Sequence, residues 1–204
     1  MGEESSRGLD WARYYAASGD DPRDTLLDAL RRFGDEGAGR RLAVDLGCGT
    51  GRDTAALLRR GWRVLAIDGE PGAIERLLAR PDLSDAERAR LETRVARFEE
   101  ASWPEADLVN SSFALPFCAP EAFPALWRRL VASLRPGGRF SGQLFGDRDG
   151  WSEEPEMTFL ARAEVEALLE GFELERLDEV EEDGKTAVGE PKHWHVFHVV
   201  ARRR

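Results

Sequence analysis

Lysine is nearly missing from this chain: of 29 basic residues only Lys185 and Lys192 are lysine, and the rest are arginine. Both lie near the C-terminus, far from the two tyrosines, Tyr14 and Tyr15. A Tyr-x-x-x-Lys pair of the reductase kind is therefore absent. Cysteine is as scarce. Cys48 and Cys118 are too few for a disulfide framework and lack the CxxC spacing of a zinc site. No window approaches the ~18 consecutive apolar residues of a membrane span. The opening MGEESSRGLD lacks the basic-then-apolar layout of a signal peptide. No membrane partner and a cytoplasmic location are expected. Internal repeats, low-complexity tracts and linkers are missing too.

What remains has the profile of one globular domain, with 204 residues, 42% of them apolar and 33% charged. The net charge of −10 is uneven. Residues 147–190 hold 16 acids against 4 bases. An acidic surface repels phosphate backbones, so nucleic acid is a poor candidate partner.

Asp21-Pro22 reads as a helix start, and Leu26, Leu27, Leu30 and Phe33 follow at helical spacing. Leu42 to Leu46 is a short apolar run, the pattern of a strand buried on both faces. A helix over 52–60, a strand 64–67 and a helix 71–80 come next, with Ser84 and Glu87 as a capping box. Strands near 93–98 and 107–111, a helix near 120–133, a strand near 139–145 and a helix near 161–170 follow. Two last strands, near 172–180 and 193–201, read as a hairpin turning at Asp183-Gly184. The alternation predicts a doubly wound, three-layer α/β fold with a seven-stranded, mostly parallel sheet and an antiparallel last strand at its end.

Between the first strand and its helix stands Val44-Asp45-Leu46-Gly47-Cys48-Gly49-Thr50-Gly51. Glycine allows positive φ there and lets a ligand approach the backbone. Amide hydrogens at the following helix start could then hold polar ligand atoms. Asp68 closes the second strand 17 residues after Gly51. A carboxylate there can accept hydrogen bonds from both hydroxyls of a ribose. The spacing is GxGxG, and Arg52 occupies the position where a dinucleotide fingerprint requires glycine.

VDLGCGTG resembles motif I of class I S-adenosylmethionine-dependent methyltransferases, and VLAIDGEP and LRPGGRF resemble later stretches of the same proteins. Trp11-Ala-Arg-Tyr14-Tyr15 and the GTGRD form of the loop resemble the small bacterial tellurite-resistance type. The resemblance implies a single domain over 1–204, in which residues 1–36 cover the cofactor site and 37–204 form the Rossmann-like core. It implies S-adenosylmethionine as cofactor, S-adenosylhomocysteine as its product, and a small-molecule methyl acceptor. Carried over by position, Asp45 orients the methionine ammonium, Gly47, Cys48, Gly49, Thr50 and Gly51 line the methionine, and Asp68 with Gly69 holds the ribose. Asp53 of GTGRD and Ser111 at the fourth strand's end join the cofactor set, and Tyr15 closes over it. The acid that would read the adenine falls on Arg97, so either Glu99 takes that role or Phe98 stacks and the backbone reads the base. A regulator that binds the cofactor without turnover, or an NAD(P)-dependent reductase, are the alternatives.

Asn110-Ser111-Ser112-Phe113 keeps the ends of the Asn/Asp-Pro-Pro-aromatic turn of nucleobase methyltransferases but neither proline. Tyr14, Phe113 and Phe117 are candidate walls of an acceptor pocket. Trp151 is a candidate lid or a core anchor. His193 and His195 share one strand face, opposite His198, and could serve the acceptor; with no third ligand in view, no metal is expected. Cys48 is either a small filler of the loop or a reactive thiol. A monomer or a homodimer fits equally.

Overall fold

The computed structural model describes residues 10–34 and 38–204. Residues 1–9, 35 and 36 of the expected covering segment, and residue 37 of the expected core, lie outside the described residues. Two helices open the chain, α1 (Trp11–Ala17) and α2 (Asp24–Phe33). Five parallel strands follow in the order of a doubly wound sheet: β1 (Leu42–Leu46), β2 (Arg63–Asp68), β3 (Leu91–Val95), β4 (Ala106–Ser111) and β5 (Leu134–Gly146). Between them run α3 (Arg52–Arg59), α4 (Pro71–Leu78), α5 (Asp85–Arg88) and α6 (Phe123–Ser133). After β5 come a two-residue strand β6 (Phe159–Leu160), α7 (Arg162–Leu168), β7 (Phe172–Lys185) and β8 (Pro191–Arg203). The sheet order is β3-β2-β1-β4-β5-β8-β7, with β6 beside β5.

The antiparallel last strand is present, but it is not at the edge. β8 lies between β5 and β7, and β7 is outermost. Composition explains the exchange. β8 carries Val196, Phe197, Val199, Val200 and Ala201, all buried, whereas β7 is dominated by exposed acids. Charge along an outer strand discourages pairing with another chain. The hairpin also runs further than expected: Asp183 pairs with His193 and Gly184 with Lys192, so the turn is at 186–190. β6, absent from the seven expected strands, makes eight.

Period-two alternation splits the core into two layers. Val44, Leu46, Leu65 and Ile67 pack toward Leu126, Trp127 and Leu130 of α6 and Val165 of α7. Ala43, Val64 and Ala66 face the opposite layer, with Leu26 and Leu30 of α2, Leu57 and Leu58 of α3, and Leu77 of α4. Asp45 shares the face of Ala43, so its carboxylate is aimed at the helices that flank the first turn. Helix termini follow local chemistry: Pro71 starts α4, and Ser84 with Glu87 forms the expected capping box of α5. Asp21-Pro22 does not start a helix. α2 begins at Asp24 with Arg23 as N-cap, because the Asp53 carboxylate takes the Arg23 amide hydrogen at 2.9 Å. Arg135-Pro-Gly-Gly138, ahead of the strand expected near 139–145, lies inside β5 as an irregularity where pairing with β4 shifts register.

Trp62, following the glycine that ends α3, is 1% exposed and meets the edge of Phe33 at 5.0 Å. Truncating so large a buried ring typically costs about 3–5 kcal/mol. Trp62→Ala is expected to lower the unfolding free energy by that amount, moving the urea midpoint down at unchanged slope; a loss under ~1 kcal/mol would contradict the packing described.

Candidate functional site

At the C-terminal ends of β1, β2 and β4, where doubly wound sheets bind ligands, a cavity of about 850 Å3 opens beneath α1. The glycine loop forms its floor. Gly51 has φ +80°, and a Cβ there would fall 2.2 Å from Leu77, so this glycine lets α3 and α4 approach. A Cβ on Gly47 would overlap Ala114 at 2.2 Å, on the strand-to-loop crossing after β4. Four of the loop's amide hydrogens are engaged within the protein. Gly47 and Cys48 donate to Ile67 O, Gly51 to Cys48 O, and Gly49 to Asp68. Side chains complete the site.

Asp68 is the first of these. Its two oxygens accept from Gly49 N at 2.8 Å and Glu70 N at 2.9 Å, which fixes the carboxylate at the loop's edge. Burial nevertheless pushes its pKa upward, against those hydrogen bonds. Tyr15 stands over the same spot, its ring 3.6 Å from where a Gly49 Cβ would be, close enough to feel the Asp68 charge. Burial, then the Asp68 charge, raises the Tyr15 phenol, so it stays a neutral donor.

Asp45 and Asp53 form the second feature. Asp45 accepts from Thr54 Oγ1 at 2.6 Å and from Asn110 Nδ2 at 2.9 Å. The same Asn110 Nδ2 reaches Asp53 at 3.1 Å, and Ser112 also donates to Asp53. Asn110 Oδ1 accepts from Ser141 at 2.7 Å. Burial, and next the Asp53 charge, push Asp45 up to about 7. Two buried carboxylates sharing one neutral donor make a site that welcomes a cation.

The cavity brings together Tyr14, Tyr15, Asp45, Gly47, Cys48, Gly49, Thr50, Asp53, Asp68, Gly69, Phe98, Glu99, Phe113 and Phe117. Gly51 and Ser111 are structural neighbours and not lining: Ser111 is fully buried and donates to Leu46 O. Trp151 is an anchor, packed on Phe145 and Trp194 around the buried Lys192 ammonium, which is paired with Asp149. His193 and His195 are not brought to the cavity. His193 hydrogen bonds with Asp183 and Glu181, and His195 is enclosed with Glu179 and the Arg148 amide, on the side of β7's acids. Among the described residues no cluster of three or more metal-ligating side chains forms. Burial lifts the Cys48 thiol well above its usual range, the mark of an inert filler.

Sequence reading missed Trp11, Arg52, Glu70, Arg97, Ser112 and Glu156 as lining residues. Trp11 carried a signal, since it lies one helical turn before Tyr14 and Tyr15 and touches both rings. Glu156 carried none. Near the adenine candidates, Arg97, Phe98 and Glu99 all face the cavity.

Because the folded pKa of Asp45 lies above the unfolded value of about 3.9, this group costs stability as pH rises from about 4 to 7, and the cost levels off above 7. Asp45→Asn removes the charge. Its melting temperature relative to the unaltered protein is expected to improve between pH 5 and pH 7 and to level off by pH 8. A difference independent of pH in thermal unfolding would show that Asp45 does not titrate there.

Residues 43–138 match the protein family described as a methyltransferase domain. Over 101 residues, 46% of this chain, the sequence is 35% identical to carboxy-S-adenosyl-L-methionine synthase of Citrifermentans bemidjiense. The chain spans only 40% of that relative's length. Among solved structures it is similar to TehB from Haemophilus influenzae, with a TM-score of 0.74 and 17% identity over 89% of this chain and 62% of that one. It is also similar to the N-methyltransferase NodS from Bradyrhizobium japonicum, with a TM-score of 0.69 and 18% identity over 98% of this chain and 99% of that one. The fold is the one shared with these solved structures, and the match to the methyltransferase-domain family falls on residues 43–138 within it.

Proposed function

We propose that this protein transfers the methyl group of S-adenosylmethionine to a small molecule bound under α1. The observation that carries the reading is Asp68, a buried carboxylate at the end of β2 whose fixed oxygens border the cavity. The residues present fit the cofactor chemically. Asp68 suits a ribose diol, the Asp45–Asp53 pair suits an ammonium, and Phe98 offers a flat apolar face to a base. The cofactor supplies an electrophilic carbon on a sulfonium, displaced in line by the acceptor.

The chain's own contribution is alignment and exclusion of water. Trp11, Tyr14 and Tyr15 of α1 form a cover, with Trp11 meeting Phe117 at 5.1 Å across the cavity mouth. Phe113 and Phe117 wall the acceptor end. Asp45 and Asp53 hold negative charge near the cation they would bind. Activity in the cytoplasm, as a monomer or a homodimer and without nucleic acid, belongs to the same reading.

Isothermal titration with S-adenosylhomocysteine tests it, with NADH as the control. Micromolar affinity for the former alone is expected, and Asp68→Ala should weaken it at least tenfold, about 1.4 kcal/mol. Tight NADH binding, or full affinity in the variant, would sink the assignment.

A further inference from the structure

Two arginines beside the cavity have no anionic partner among the described residues. Arg52, the first residue of α3, lines the cavity and makes no hydrogen bond or ion pair with any described residue. Arg23, at the start of α2, places its guanidinium carbon 4.5 Å above the Phe113 ring, which also lines the cavity. Its Nε is buried without a hydrogen-bond partner, and its guanidinium forms no ion pair among the described residues. Arg90 and Arg129 also have an unpaired Nε, but each guanidinium still donates to a carbonyl elsewhere. Arg23 has only the aromatic face.

The two guanidinium groups repel each other. After burial, the Arg52 charge is the largest influence on Arg23, and both lower its pKa. The facing carboxylates offset this only in part: Asp24 is exposed, and the Asp53 oxygens already accept from the Arg23 amide, Asn110 and Ser112. A planar anion is what a pair of open guanidinium forks binds best. Acids elsewhere on the wall, Asp53 and Glu156 among them, disfavour a multiply charged phosphate and favour a single negative charge.

We propose that Arg23 and Arg52 clamp the carboxylate of the methyl acceptor, and that the acceptor is a small aromatic or otherwise flat carboxylic acid. Its apolar part meets Tyr14, Phe113 and Phe117. The acceptor assignment rests on the methyl-transfer reading, whereas the anion site does not. One other source of the same chemistry exists, the cofactor's own methionine carboxylate.

Calorimetric titrations of the full chain, Arg23→Gln and Arg52→Gln separate the cases. The probes are S-adenosylhomocysteine, 5′-methylthioadenosine (which lacks amine and carboxylate), and benzoate or benzamide added to the S-adenosylhomocysteine complex. Benzoate is expected to bind at least tenfold more tightly than benzamide. Each variant should erase that preference while leaving 5′-methylthioadenosine within twofold, which also shows an intact fold. If the variants instead weaken S-adenosylhomocysteine tenfold and spare 5′-methylthioadenosine, the clamp serves the cofactor and the acceptor assignment is overturned. Equal binding of benzoate and benzamide with unchanged S-adenosylhomocysteine affinity overturns the clamp itself. Should the unaltered protein bind neither nucleoside, methyl transfer fails, and benzoate against benzamide on the free protein still decides the anion site.

Discussion

One carboxamide holds the site together. Asn110 on β4 donates to Asp45 on β1 and to Asp53 on α3, and its oxygen accepts from Ser141 on β5. Asp53 in turn fixes the first residue before α2 through the Arg23 amide. Three adjacent strands and two helices are thereby tied to a single side chain at the point where the sheet divides. All members are buried or nearly so, and every polar atom in the chain of bonds has a partner. Such a network is costly when incomplete and specifying when complete. It keeps two like charges close together, which neither strand order nor apolar packing would do alone.

The same network explains what was legible in the sequence and what was not. The glycine loop, Asp45 and Asp68 could be read because a strand–turn–helix junction with a following acid has few physical solutions. The partners of Asp53 could not, since Asn110 and Ser112 lie 57 and 59 residues away in sequence. Asp21-Pro22 misled for a related reason: local capping chemistry competed with the distant Asp53 carboxylate for the chain entering α2. The C-terminal hairpin was visible as two strands, yet its turn was misplaced. Asp183-Gly184 has turn chemistry, but the cross-strand ladder continues through it. The histidines illustrate the limit of periodicity. Spacing correctly put His193 and His195 on one face, and nothing in it said that this face looks away from the cavity.

Charge is also divided by position. The acid-rich segment builds the outer strand, where Glu179 and Glu181 are drawn down to about 2 by hydrogen bonds from His195 and Arg162, and from Arg148 and His193. Apart from the buried His195, those groups are exposed, so their pairs shape the surface more than they stabilise the fold. Near the cavity the balance is different: the buried acids of the loop stand beside Arg23 and Arg52, whose guanidinium groups have no ion-pair partner among the described residues.

Lys192 is enclosed by Phe145, Trp151 and Trp194 and bound to Asp149, which leaves Lys185 as the one lysine side chain open to solvent. An amine-directed reagent therefore meets a single lysine, on the outer hairpin and away from the cavity. Attachment of a dye or a surface tether through that residue would orient the molecule with its binding mouth unobstructed, an economy of reactive handles that follows from the near absence of lysine.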